Sequence, residues 1–438
     1  MARDVTLDAI PGSDSLLELG RLLRDAPRFL HERFERHGRI FRTRLIYPVV
    51  FLVGEQANKS ILVTRRHEFS FGLGYAQTAV DRVFAGSIML QDGEAHDRTR
   101  DVLSPAVGKL AIHESLRAVL GIWTAAARGA GDGRDHDVYA FAQRTTFEVA
   151  ANVLTGLALG RETEEFRPYF ERLHDGIMAA TKVRVPLGRL DRALRARRVL
   201  EERLGPRVVA ARALPPAGLL GQLAHHRDAQ GRPLPVDEIV RHLLLLFWAG
   251  YDTTASAASW ALHELARRVD WQERLREEVR AMGDEHPLDE ARELPQTSAF
   301  LSEIERLYPS ALFFPRIAVE DVAIEGRVVP RGTPTFYSPY LSHRDPATFE
   351  SPNAFDPERW LPSRGARRAV PAKLVGFGGG PRVCLGKSFA KAQLRAMIYA
   401  VLRRHRVEPD PTCRPAILSL PVHHPRGSRV RFVPQTLS

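Results

Sequence analysis

From about residue 55 to 282, apolar residues recur every third or fourth position, the period of amphipathic helices. Breaks fall at "GAGDGRDHD" (129–137), "RVPLG" (184–188) and "LPPAG" (214–218). Upstream, "RIFRTRLIYPVVFLVG" (39–54) alternates, with a turn near Tyr47 and Pro48, and reads as a β-hairpin. Residues 1–38 read as a proline-broken lead-in with one amphipathic helix. Strand-like pieces return at about 316–340 and 415–434. The pattern therefore predicts a mainly α fold with small β-sheets, organised as one domain over 1–438. No repeat and no Gly/Ser-rich linker divides it.

One helix stands out at 236–268, with Pro235 just before it. At 1.5 Å per residue it spans about 50 Å. Its middle, "LLLLFWAGYDTTASAASWAL", is apolar nearly all round, which predicts passage through the core. The longest apolar run in it, "LLLLFWAG", is far shorter than the roughly 18 residues a membrane span needs. No signal peptide or membrane anchor is read, and the chain is expected to be soluble and cytoplasmic.

Net charge is +11, which raises the question of nucleic acid. The arginines are spread along the chain, and no basic stripe interleaves with aromatics. A basic face for an acidic protein partner fits the charge, and nucleic acid is not expected. Two cysteines, Cys384 and Cys413, exclude a disulfide scaffold.

The chemistry concentrates in "GFGGGPRVCLGKS" (376–388). Gly386, Lys387 and Ser388 end it like a phosphate loop, which leaves a nucleotide-binding alternative. That motif needs glycine at 381, where Pro381 offers no N–H to an oxygen. Around Cys384 the features suit a metal-bound thiolate instead. Gly378, Gly379 and Gly380 give an unhindered turn, and Gly386 permits close approach of a flat ligand. Arg382 can face an anion. A clear amphipathic helix follows, whose positive end favours thiolate.

The pattern Phe377-x-x-Gly380-x-Arg382-x-Cys384-x-Gly386 resembles the haem-binding signature of the cytochrome P450 superfamily, the haem-thiolate monooxygenases. The resemblance implies a soluble bacterial-type enzyme. It implies the P450 fold, with a long central helix over haem b and the cysteine loop on its opposite face. Cys384 would be the iron ligand, with Phe377, Gly378, Arg382, Gly386 and Ala249 at the cofactor.

Three further constellations follow the same family's order. "AGYDTT" (249–254) puts Gly250 inside a helix, at a cost of about 1 kcal/mol relative to alanine. Thr253 can bond back to the carbonyl of Ala249. A charge in this apolar helix is expensive, and the plain reading is a helix–helix contact through small residues with Asp252 facing water. The pattern is similar to the family's acid–alcohol pair, implying Asp252 as proton-relay acid and Thr253 as its alcohol. "EIER" sets Glu303 and Arg306 at i,i+3, ordinarily a surface pair of about 0.2–0.5 kcal/mol. The resemblance makes it a buried brace for the cysteine loop, with Arg359 of "FDPERW" as third member. "HDRTR" sets His96 and Arg100 one turn apart. With Arg316 of "FFPRIA" they are similar to the family's propionate-binding residues.

The implied activity is O2 activation and hydroxylation or epoxidation of a bulky hydrophobic molecule, a terpenoid, retinoid, steroid or fatty acid. Two cysteines cannot hold a four-cysteine cluster, and no flavin motif appears. Electrons from NAD(P)H are therefore expected through a separate acidic ferredoxin-type donor and its reductase. The donor would dock near Lys373, Arg382 and Lys387 on a monomer. By position in the family, the pocket would be lined by Tyr75, Phe84, Met89, Leu90, Phe247, Leu312, Phe313 and Leu420. A haem-thiolate sensor without turnover is the other alternative.

Overall fold

The apolar run in "LLLLFWAGYDTTASAASWAL" lies in one continuous helix, Val236–Arg267, in the computed structural model. Pro235 precedes it, Asp237 and Glu238 sit in its first turn and Arg267 in its last. Those charges complement the helix dipole. The structure describes residues 7–157, 160–179, 182–216, 218–228, 230–282, 294–364, 372–420 and 422–435.

Two compact units form. The first is built from the described parts of Met1–Gln77, Ser298–Cys384 and Ile417–His424. Its frame is a six-stranded sheet. The hairpin Ile40–Arg44 and Pro48–Leu52 is where alternation placed it. Sequence alone did not reveal that Pro48–Leu52 pairs in parallel with Pro334–Tyr337. Pro334–Tyr337 in turn pairs antiparallel with Phe314–Ala318, which carries Arg316. Phe51, Val50, Leu52 and Phe41 are fully buried against this sheet. The lead-in holds two helices rather than one, Glu18–Arg24 and Ala26–His37. Asp25 separates them, and its side chain caps the second by accepting from Arg28 N–H at 3.1 Å.

The second unit comprises the described parts of Thr78–Thr297, Leu385–Ala416 and Pro425–Ser438. It is helical, with the central helix fully buried along most of one face. The helices Arg161–Ile177 and Arg189–Ala211 meet so closely that a Cβ on Gly176 would lie 2.1 Å from that of Ala193. A three-stranded antiparallel sheet joins His405–Pro409, Arg429–Pro434 and Asp135–Asp137. His405–Pro409 and Asp135–Asp137 lie outside the expected β segments. The first follows directly on a helix and the second sits inside a glycine-rich break, so neither shows alternation over enough residues.

Candidate functional site

The cysteine loop is shaped by its glycines. Gly378 and Gly380 have φ of +73° and +58°, in the left-handed region that favours glycine. At Gly380 a Cβ would also sit 2.1 Å from the carbonyl oxygen of Leu62. Cys384 N–H donates to the Phe377 carbonyl at 2.8 Å, and Gly378 N–H to that of Val375 at 2.9 Å. The "KLVGF" stretch before the loop is a turn, not the strand a phosphate loop needs. Cys384 is exposed, three residues before the helix Lys387–Leu402.

In the same unit, Arg316 and Arg382 both hold their guanidiniums over the ring of Phe71, at 4.3 and 4.7 Å. Arg316 is buried and also lies 5.2 Å from the Tyr337 ring. Gly74 allows this approach, because a Cβ there would meet the Arg316 backbone at 2.8 Å. Burial pushes the Tyr75 hydroxyl up to about 12, with Arg316 pulling the other way. Burial raises Tyr337 as well. An accessible sulfur and two guanidiniums gathered on one ring are what a thiolate-ligated haem with two carboxylates needs. The donor set fits that group.

The Glu303–Arg306 pair is wholly buried. Arg306 Nε and Nη2 donate to the two Glu303 oxygens at 2.8 and 2.7 Å. Its remaining donors reach the carbonyls of His343, Pro352 and Ala354 at 2.6–2.8 Å. Glu303 also accepts from Asp356 N–H at 2.8 Å, Arg359 Nε at 3.2 Å and Trp360 Nε1 at 2.8 Å. Arg359 is thus one of the side chains that reach Glu303. His343 and Trp360 were not foreseen. His343 Nδ1–H donates to the Arg306 carbonyl at 2.9 Å, and Nε2 accepts Val375 N–H at 2.9 Å. Burial holds this imidazole neutral, pushed down to about 3.

On the central helix, Thr253 Oγ1 donates to the Ala249 carbonyl at 2.7 Å, the back-bond the sequence suggested. Thr253 is exposed while its neighbour Asp252 is buried, so the surface reading of Asp252 is overturned. Only Leu154 comes near a Cβ built on Gly250, at an ordinary 3.8 Å. Crowding among the described residues therefore does not explain this glycine. Asp252 Oδ1 accepts from Tyr139 O–H at 2.6 Å and Gln143 Nε2 at 3.0 Å. Among the described residues, Oδ2 accepts no hydrogen bond, and His174 Nε2 lies 3.5 Å away. Burial and the Asp252 charge push the Tyr139 phenol well above its usual range. Tyr139, Gln143 and His174 were missed by sequence reasoning.

Also in the second unit, His96 is buried on the helix Gly93–Leu103, its Nδ1 2.8 Å from Asp97 Oδ1. Arg100 is half-buried one turn on. Several pocket candidates pack as core. Phe247 is fully buried and stacks on Phe170 at 3.6 Å. Phe84 packs on Trp248 at 5.2 Å. In the first unit, Leu312 is buried and Phe313 packs beside it. Met89, Leu90 and Leu420 are half-buried. Of the docking candidates, Lys373 pairs with Glu55 at 3.8 Å.

A family model described as Cytochrome P450 matches residues 215–430. A putative cytochrome P450 120 from Synechocystis is 30% identical over 401 residues, covering 90% of this chain and 89% of that protein. Mouse cytochrome P450 26B1 is 26% identical over 441 residues, covering 95% and 84%. Among solved structures, retinoic-acid-bound cyanobacterial CYP120A1 matches with a TM-score of 0.86 at 27% identity, covering 97% of this chain and 99% of that one. Among the described residues, no helix is long and apolar enough to cross a membrane.

Proposed function

The chain belongs to the cytochrome P450 family, and on that premise we propose that it oxygenates a bulky hydrophobic small molecule, retinoid-like isoprenoids first among them. It is a cytochrome P450 monooxygenase of the mainly α P450 fold. Haem, when bound, would supply O2 activation, and the Cys384 thiolate holding it would contribute electron density to the iron.

This chain's own residues do the rest. Cys384 offers an accessible sulfur on a loop whose glycines fix its path. Arg316 and Arg382 would hold the haem carboxylates. Arginine's planar fork suits that task. Glu303, Arg306 and Arg359 brace the loop through His343 and Val375. Asp252, buried, and Thr253, exposed and next to it in sequence, would serve proton transfer. Met89 and Leu90, half-buried in the second unit, would offer apolar surface to the substrate and exclude water.

The observation that carries the reading is the exposed Cys384 thiol on a loop tied to a wholly buried Glu303–Arg306 pair. Substrate class rests on the retinoic acid bound to CYP120A1. Electrons would come from NAD(P)H through a ferredoxin-type donor and its reductase. The test is a ligand screen on the purified holoenzyme. Retinoic acid, terpenoids, steroids and fatty acids are added in turn, and the Soret band is followed for a low-to-high spin shift. A saturable shift with retinoic acid or another isoprenoid supports the reading. Shifts confined to small polar ligands would overturn the substrate class.

A further inference from the structure

Asp252 is a buried carboxylate surrounded by neutral donors. Among the described residues, no lysine or arginine pairs with it. Tyr139 and Gln143, from the helix Val138–Val149, occupy Oδ1. Only His174, from the helix Arg161–Ile177, stands at Oδ2. The other side of that imidazole is also fixed. Trp248 Nε1–H, one turn before Asp252 on the central helix, points to His174 Nδ1 at 3.3 Å. The indole N–H can only donate, so Nδ1 must accept, and the ring proton falls on Nε2. Phe84 packs on the indole at 5.2 Å and keeps it in place. The Tyr251 ring lies edge-on to the imidazole at 6.3 Å. Glu171 and Arg167, of opposite sign, act on Tyr251 from the His174 helix. Asp175, adjacent in sequence, is paired with Arg189 and Arg192.

We propose that His174 is the positioning residue for Asp252: as the neutral Nε2–H tautomer set by Trp248, it presents a donor to the free carboxylate oxygen. This deepens the monooxygenase reading and rests on it. A neutral donor at 3.5 Å holds Oδ2 loosely, so the carboxylate can accept a proton and turn toward Thr253. Protonation of His174 changes both contacts. Nδ1–H then faces the indole N–H, donor against donor, and Nε2–H forms an ion pair that keeps Asp252 charged and still. Proton delivery therefore requires neutral His174.

Two measurements on the holoenzyme test this. The first uses 15N-histidine and the diamagnetic ferrous carbonyl form, with the His174 signals assigned by their loss in His174→Gln. The expected result is the Nε2–H tautomer, with the Nε2–H signal shifted in Asp252→Asn as its neighbour changes from carboxylate to amide. An Nδ1–H tautomer, or an Nε2–H signal unmoved in Asp252→Asn, overturns the inference. Trp248→Phe should mix the tautomers, and a tautomer ratio unchanged in that variant overturns the role given to Trp248. The second follows substrate-free NADPH oxidation with a surrogate ferredoxin pair, O2 + NADPH + H⁺ giving H2O2 + NADP⁺, across pH. Wild type should lose rate on the acid side with the His174 titration. His174→Gln, a donor that does not titrate, should lack that limb. His174→Phe should be slower on the order of tenfold throughout. An acid limb identical in wild type and His174→Gln overturns the proposal. The carbonyl spectrum of the same samples checks the haem-thiolate reading separately. A normal spectrum with a contrary His174 result sinks only this inference.

Discussion

His343 Nε2 accepts the N–H of Val375 at 2.9 Å, so a histidine 41 positions before Cys384 ties the Arg306 carbonyl to the chain entering the cysteine loop. The bond to Val375 needs the neutral ring, because a protonated Nε2 cannot accept. Its pKa lies at about 3, lowered from 6.5 by burial, so the unfolded chain binds a proton that the folded one refuses between those values. The stabilising contribution is complete above about pH 6.5 and is lost as pH falls toward 3. His423, also at about 3, adds in the same direction. Urea unfolding between pH 7 and 4.5 should show stability falling with acid. His343→Gln should flatten the slope by about 1.4 kcal/mol per pH unit, one proton's worth. An unchanged slope would count against a neutral buried His343.

Arg306 spends its donors on one carboxylate and three carbonyls, a geometry only a guanidinium supplies. Arg306→Lys keeps the charge but leaves carbonyls unmet, and Glu303→Gln leaves a buried cation uncompensated. Breaking such a pair costs about 3–5 kcal/mol. Both variants should show lower melting temperatures and less haem per chain by pyridine haemochromogen assay. Full haem content in both would contradict the bracing role.

Gly380→Ala combines a left-handed φ with a Cβ driven into the Leu62 carbonyl. The loop must shift, and haem occupancy should fall while far-ultraviolet circular dichroism stays near wild type. Gly427, also at positive φ but with open space around it, is the control. Gly427→Ala should bear only the conformational cost, roughly 1 kcal/mol, and keep its haem.

Some of this was legible in the chain because the signals are local. The central helix is readable from unbroken periodicity, the Thr253 back-bond from i,i−4 spacing, and the 40–52 hairpin from alternation. The Glu303–Arg306 pair is local too, but its burial is not, since its other partners come from irregular chain at 343–360 that carries no period. The Asp252 cluster was hidden for a related reason. Tyr139 and Gln143 lie 113 and 109 positions away, and each looks like an ordinary residue of an amphipathic helix. The parallel pairing of Pro48–Leu52 with Pro334–Tyr337 likewise has no local trace.

Asp252→Asn leaves the shape but removes the acid. It should slow NADPH oxidation by about 10²-fold, the low end for a lost acid–base group, with the carbonyl spectrum unchanged. Thr253→Val removes the hydroxyl and its bond to Ala249, and should raise peroxide released per NADPH oxidised once a substrate is in hand. Wild-type NADPH oxidation in Asp252→Asn together with wild-type peroxide release in Thr253→Val would remove the pair from proton delivery.

The central claim is that the Cys384 sulfur binds the haem iron, and the ferrous carbonyl adduct reads that bond directly. Wild type from haem-replete cells should give the strongly red-shifted Soret band of a thiolate ligand. Cys384→Ala should lack it even where haem is retained. The same band in Cys384→Ala, or colourless wild-type protein, would contradict the account.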